Sequence, residues 1–408
     1  MGLGRLVRLG VMMFLQYAIW GAWAPVLSGY LVETLHFTKF QAGFVYSLLP
    51  LATMVSPFIF GQLADRYLAT ERLLAIAHLA SGVALGFAAT QTSYDGMRGL
   101  MLVYAILYAP TLALTNSICF HNLKDSEKEF GRIRVGGTIG WIAAGWILAL
   151  WRTQAPLSNV SDSLLLAAGF SILLGLFSFT LPHTPPRREG ANPLAFLDAI
   201  KLLKNKDFAV FMAISFVVAT ELQFYYILTA PFLQNLGIKS DSLPAVMTIA
   251  QLAEIIVMAL LLPALLPKIG ARRMLAIGVL AWPLRYIIFA IGTPTWLVVS
   301  SLALHGFCYV FFFVVGFIYV DSVASADIRA SAQSLVAFVV LGLGTYVGSL
   351  FSGAIGDMFK LPTGATDWTK VFLVPCALTI AAAAAFLLAF KGNRAAARPD
   401  APDASAET

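Results

Sequence analysis

The sequence predicts an all-α integral membrane protein, with twelve transmembrane helices arranged as two six-helix halves. Three observations predict it. Of the 408 residues, 59% are hydrophobic and only 12% are charged, against about 25% charged in soluble domains. Apolar runs long enough to cross about 30 Å of hydrocarbon recur from end to end. Lysine and arginine alternate between rich and poor connections, as they do where a chain is threaded back and forth through a bilayer.

The first half offers spans at residues 9–31, 41–63, 73–89, 100–120, 133–150 and 163–181. The second offers 208–233, 244–266, 274–291, 296–320, 335–355 and 371–390. Unpaired backbone groups in lipid cost several kcal/mol each, so only helices or a closed barrel can cross. Runs this long and continuously apolar are helices, since barrel strands alternate. The first run is too long for the core of a cleaved signal, and Pro25 follows its one small-x-small site, Ala22-Trp23-Ala24.

With both termini cytoplasmic, twenty of the 27 lysines and arginines fall on that side and six on the other, with Arg285 inside a helix. The formal net charge of +6 therefore reports topology rather than nucleic-acid binding. The domain reading is residues 1–181 as the first half, 182–207 as a cytoplasmic linker, 208–391 as the second half and 392–408 as a disordered tail. Within the linker, Ala195 to Lys204 places apolar residues on one side and lysines on the other, which suits an interfacial helix.

Chemistry-bearing motifs for catalysis are missing. Cys119, Cys308 and Cys376 all fall within spans, so no disulfide framework or metal site is implied. No Walker loop, zinc spacing or nucleophile elbow occurs. An intramembrane enzyme would need a catalytic or metal cluster, and a sensor would need a soluble domain longer than any polar segment here. No cofactor is expected.

The informative residues are polar ones at membrane depth: Glu221, Gln223, Gln251 and Glu254. Such residues usually face a bundle interior or a watery cavity and mark a substrate or ion pathway. Helical spacing groups others with them. Arg134, Thr138 and Trp141 share a face at i, i+4, i+7, Gln223 and Tyr226 at i, i+3, Gln251 and Glu254 at i, i+3, and His305 and Tyr309 at i, i+4. Each has a plainer reading: Arg134 as a snorkelling cation, the amides as interhelical glue, His305 as a packing residue. Glu221, two residues from Gln223, points to another face and reads as a structural or proton-relay carboxylate. Gly136 with Gly140, and Gly344 with Gly348, are small-xxx-small pairs that allow close helix packing.

Gly61-x-Leu63-Ala64-Asp65-Arg66, between the second and third spans, resembles the major facilitator superfamily signature, with Leu68 where a glycine is usual. A closer resemblance is to bacterial nucleoside:proton symporters. It is carried by Phe14-Leu15-Gln16-Tyr17-Ala18-Ile19-Trp20-Gly21-Ala22-Trp23, Pro110-Thr111-Leu112 with Asn116, Ile133-Arg134-Val135-Gly136-Gly137-Thr138-Ile139-Gly140, Leu181-Pro182-His183-Thr184-Pro185, Glu221-Leu222-Gln223, Ile328-Arg329-Ala330-Ser331-Ala332-Gln333 and Thr366-Asp367-Trp368.

The resemblance implies the major facilitator fold, a bacterial inner-membrane location, and import of a nucleoside with protons by a monomer. It places Arg134, Thr138, Trp141, Gln223, Tyr226, Gln251, Glu254, His305 and Tyr309 around the nucleoside, and Asp65 and Arg66 at a conformational gate. Tyr226 replaces a usual Asn, His305 a usual Tyr, and Val310 a usual Asp. The last change moves proton coupling to Glu254 or Glu221, or leaves an uncoupled facilitator. A sugar or another polar metabolite is the alternative cargo.

Overall fold

The structure is a computed structural model, which describes residues 3–123, 126–154, 161–186, 195–324 and 328–392. Among these, nine helices are long and apolar enough to cross a membrane. One of them, Leu243–Ile291, has 49 residues. That is about 73 Å at 1.5 Å per residue, twice the thickness of the hydrocarbon. Gly270 interrupts it at φ 77°, ψ 164°, a conformation open to glycine and closed to most side chains. The two arms are separate crossings, matching the spans at 244–266 and 274–291, and the turn between them carries Lys268, Arg272 and Arg273.

With Lys39–Arg66 and Asp162–Ser178 added, the layout accommodates twelve crossings. In chain order they are α1 Leu3–Trp23, α2 Lys39–Arg66, α3 Thr70–Ala88, α4 Tyr94–Asn122, α5 Ser126–Gln154, α6 Asp162–Ser178, α7 Lys206–Asn235, α8 and α9 as the arms before and after Gly270, α10 Thr295–Val323, α11 Ser331–Met358 and α12 Trp368–Ala389. The face holding the start of α1 and the end of α12 is called the terminal face here, and its opposite the distal face.

Side-chain oxygens satisfy the helix starts. Thr38 and Gln41 form a reciprocal capping box on α2, Ser93 accepts from Gly96 N at α4, Asn205 caps α7 and Asp367 caps α12. Large apolar side chains such as Leu388, Trp296, Leu260 and Phe179 are 83%, 68%, 64% and 62% exposed. They belong to a lipid-facing belt, because a bilayer removes the usual penalty for exposing them.

Both halves are built on the same close approach. Gly136 and Gly140 of α5 lie against the backbone of Gly10 and Phe14 on α1. Gly344 and Gly348 of α11 lie against Ala219 and the Thr220 backbone on α7. The first and fifth helices of each half thus meet through a glycine pair, where a Cβ would push the backbones apart. The same helix pairing recurs in both halves, as an internal repeat would produce.

The linker helix, Ala195–Lys204, is wound as a 3-10 helix rather than an α-helix. It leaves Ile200 and Leu203 exposed, 45% and 40%, and packs on the first turns of α11 and on α7. The 3-10 winding advances about 2.0 Å per residue instead of 1.5 Å, so the same ten residues reach further across the terminal face.

Candidate functional site

Between the halves, at mid-depth, lies a cavity whose walls come from α1, α2, α7, α10 and α11. Tyr46 and Pro50 line it from α2. They lie seven to eleven residues past Lys39, about 10–16 Å along the helix. Trp20 and Trp23 line it from α1, Gln223 and Tyr226 from α7, Tyr309 and Phe313 from α10, and Val340 and Thr345 from α11. Tyr309–Val314 and Phe338–Gly344 are π-helical. These wide turns are often found at functional sites, and here they deliver liners from both helices.

Arg134 lies 4.0 Å from the Tyr17 ring centroid, a cation–π contact that carries it inward from α5 towards α1. It is within electrostatic reach of Glu254 on α8 and of Tyr309. A cation from the first half and a carboxylate from the second therefore share one site. Trp141 packs edge-on against Trp20, with centroids 5.5 Å apart. Thr138 is half-buried, one turn from both Arg134 and Trp141. Gln223 accepts a long hydrogen bond from Ser349 Oγ, 3.4 Å. Gln251 is buried close to Tyr225.

Two buried polar atoms of this group lack a partner among the described residues: the Trp141 Nε1 donor and the Gln251 Oε1 acceptor. Buried polar groups are nearly always paired, so this donor and this acceptor, on residues packed behind the cavity wall, are open to a polar partner. Of the expected residues, Gln223, Tyr226 and Tyr309 line the cavity. Trp141 packs on the liner Trp20, Arg134 and Glu254 lie within electrostatic reach of Tyr309, and Gln251 lies beside Tyr225, whose ring packs on that of Tyr226.

His305 stands differently. It is 1% exposed and stacked between Tyr225 and Tyr309, at 5.0 and 5.6 Å, behind the cavity wall. Its Nδ1 accepts from Arg285 Nη1 at 3.3 Å. It shares a helix face with Tyr309, but the Tyr225 and Tyr309 rings stacked on it shut it off from the cavity and leave its Nδ1 to Arg285 of α9. Glu221 also lies behind the wall, 0% exposed. Arg66 is exposed on the last turn of α2, and the Asp65 side chain lies outside the described residues.

Tyr17, Trp20, Trp23 and Tyr46 are functional candidates that the sequence reading did not assign. Tyr17 and Trp20 are spaced i, i+3 on α1, the one signal available. An aromatic inside an apolar run looks the same whether it packs or lines a cavity.

At the distal face the halves are pinned together. Asp357 of α11 accepts from the main-chain N–H of Lys39 and Phe40, at 2.9 and 2.8 Å, and so caps α2 from across the interface. Arg152 holds Asp162 with two bonds of 2.7 Å and donates a third to the Ser240 carbonyl, 2.7 Å. Trp146 Nε1 donates to Thr248 Oγ1 at 3.1 Å.

The family described as nucleoside H+ symporter matches residues 3–395. The chain is 35% identical to the xanthosine permease of Escherichia coli (strain K12) over 407 residues, covering 95% of this chain and 96% of that permease. It is 33% identical to the nucleoside permease NupG of the same organism, covering 94% of this chain and 96% of that one. The crystal structure of the nucleoside transporter NupG superposes with a TM-score of 0.84 at 32% identity, over 95% of this chain and 99% of that chain. A match of this extent, on a fold of two six-helix halves around a central cavity, makes the chain a transporter rather than an enzyme, and it belongs to the nucleoside H+ symporter family of the major facilitator superfamily.

Proposed function

We propose that this protein imports nucleosides with protons across the bacterial inner membrane, with both termini cytoplasmic, by alternating access of its two halves around the mid-depth cavity. The carrying observation is the pairing of aromatic faces (Trp20, Tyr226, Tyr309) with Arg134 and Glu254 from opposite halves. A nucleoside base offers a π-face for stacking and edges for amide hydrogen bonds, which Gln223 and Gln251 supply. Its ribose hydroxyls suit Glu254 and Arg134. Trp141 Nε1 and Gln251 Oε1 supply the free donor and acceptor, and Thr138 completes the α5 face.

His305 supports the site from behind Tyr309. Residues 1–181 and 208–391 act as the rocking bodies of a monomer, residues 182–207 as their tether, and Asp65 with Arg66 as the gate on the cytoplasmic side. The distal pins then close the outer side, and the cavity serves the cytoplasm in this conformation.

Labelled uridine uptake into proteoliposomes tests this reading, with a panel of nucleosides and sugars as competitors and a protonophore as the second arm. Nucleosides should compete, sugars should not, and collapse of the proton gradient should abolish accumulation. Competition by sugars alone would overturn the substrate assignment, and indifference to protonophore would overturn the proton coupling.

A further inference from the structure

Each half buries a polar cluster among its own helices, and the two clusters differ in kind. In the first half, Gln16 Nε2 donates to Thr111 Oγ1 at 2.8 Å and Gln16 Oε1 meets His78 Nε2 at 2.8 Å. The other His78 nitrogen meets Ser171 Oγ at 3.2 Å. This chain across α1, α3, α4 and α6 is formally neutral, and both ring nitrogens and both amide atoms have partners. A satisfied buried network rigidifies its surroundings.

The second half places formal charges in the corresponding helices. Glu221 on α7 and Arg285 on α9 are both 0% exposed. Arg285 donates to His305 at 3.3 Å and lies against the rings of Trp282, Tyr225 and Tyr286, at 4.5, 4.9 and 5.2 Å. Its Nε has no hydrogen bond among the described residues, and neither carboxylate oxygen of Glu221 has one. The Tyr286 hydroxyl, next to the Glu221 carboxylate, donates to the Glu221 main-chain carbonyl at 2.8 Å.

The titratable groups facing the Glu221 carboxylate are Arg285 and Tyr286 of α9 and Cys308 of α10. From α11, this stretch of α7 meets glycines: Ala219 lies against Gly344 and Thr220 against Gly348. An ionised carboxylate at zero exposure without a hydrogen bond costs several kcal/mol. Removing its charge, or bringing Arg285 into direct contact, relieves that cost.

We propose that Glu221 is the proton-carrying group of the transport cycle and that Arg285 is its alternating counter-ion. The proposal rests on the symport reading above. In the conformation seen here, Glu221 holds its proton and Arg285 donates to His305. On release, the acid O–H bond breaks, the proton passes to water, and the bonding electrons stay on the carboxylate. Arg285 then turns its free N–H towards that carboxylate. The link to cargo is short: His305 stacks on Tyr309, which lines the cavity. A nucleoside ring against Tyr309 therefore acts on the residue that shares Arg285 with Glu221. The proton site stands behind the cargo site, joined to it through His305.

The test compares wild type, Glu221→Gln and Glu254→Gln in proteoliposomes, reading uphill uridine accumulation under an imposed proton gradient and equilibrium exchange. Glu221→Gln should lose accumulation by about 5- to 150-fold, the span of ordinary coupling energies, while exchange stays within about threefold of wild type. Proton-driven accumulation by wild type together with unchanged accumulation by Glu221→Gln would overturn the proposal and leave the symport reading intact. Loss of proton drive in wild type would remove the symport reading itself, and this proposal with it.

Infrared spectroscopy of folded protein covers the case in which Glu221→Gln does not reconstitute. Glu254→Gln should still show the carbonyl stretch of a protonated carboxylic acid at neutral pH, lost on alkalinisation, and absence of that band would overturn the proposal.

Discussion

On the proposed reading, Tyr226 and Glu254 divide the work of recognition between stacking and charge, and substitutions separate the two. Tyr226 reaches the cavity wall from α7. Stacking of a base on an aromatic side chain contributes about 1–3 kcal/mol, so Tyr226→Ala should weaken nucleoside binding by about 5- to 150-fold. Tyr226→Phe keeps the ring and should stay within about threefold. Equal losses in both variants would show that the hydroxyl, not the ring, binds. Glu254→Gln keeps shape and removes charge. Hydrogen bonds to charged groups contribute about 1.5–3 kcal/mol, so the expected loss is about 10- to 150-fold in affinity. Gln251→Ala removes one neutral partner, about 0.5–1.5 kcal/mol, or roughly 2- to 13-fold. Isothermal titration with purified protein reads all of these, and affinities at the wild-type level in both Glu254→Gln and Gln251→Ala would refute the site.

At the scale of elements, the glycine pairs set how closely helices approach, and the structure distinguishes glycines that matter from those that do not. A Cβ at Gly348 would run into the Thr220 backbone, whereas a Cβ at Gly86 meets nothing within 4 Å. Gly348→Val should therefore separate α7 from α11 and destabilise the protein by about 1–3 kcal/mol, with Gly86→Ala near neutral. Melting in detergent measures this, and equal stability of the two variants would contradict the packing. These pairs were legible in the sequence because four-residue spacing survives without tertiary information. The crossings were legible for a similar reason: hydrocarbon thickness fixes run length. The break at Gly270 falls in the gap between the spans read at 244–266 and 274–291. The candidate site was half legible. Polar residues on shared faces pointed to Arg134, Gln223, Gln251 and Glu254, but helix rotation decides what faces the cavity. Hence Trp20 and Tyr17 were indistinguishable from core aromatics, and His305 faces Arg285 instead of the cavity. The 3-10 winding of the linker was not legible, because one apolar and one charged side suit either kind of helix.

For the molecule as a whole, the proposed alternating access makes the distal pins decide which face the cavity can serve. Asp357 is the clearest of them, because its two oxygens bind successive main-chain N–H groups at the start of α2 in the other half. Those N–H groups belong to the first turn, where no intrahelical partner exists and the helix dipole favours an anion. Lys39 also reaches over the Trp368 ring, 5.8 Å away, so both halves meet again within the same patch. Opening the distal side must break these contacts together. Charge-assisted bonds of this kind contribute about 1.5–3 kcal/mol each when removed singly. Asp357→Ala should then shift the closed-to-open ratio at the distal face by at least about tenfold, since 1.4 kcal/mol is a factor of ten. Spin labels at Glu33→Cys and Thr363→Cys, exposed positions on the two sides of the patch, would report it as a longer distance population absent or minor in the labelled parent. Asp357→Asn retains a hydrogen-bond acceptor without the charge and should fall between the two. A distance distribution in Asp357→Ala that matches the parent would show that the halves are held closed by α2–α11 packing alone, with Asp357 serving only as a cap.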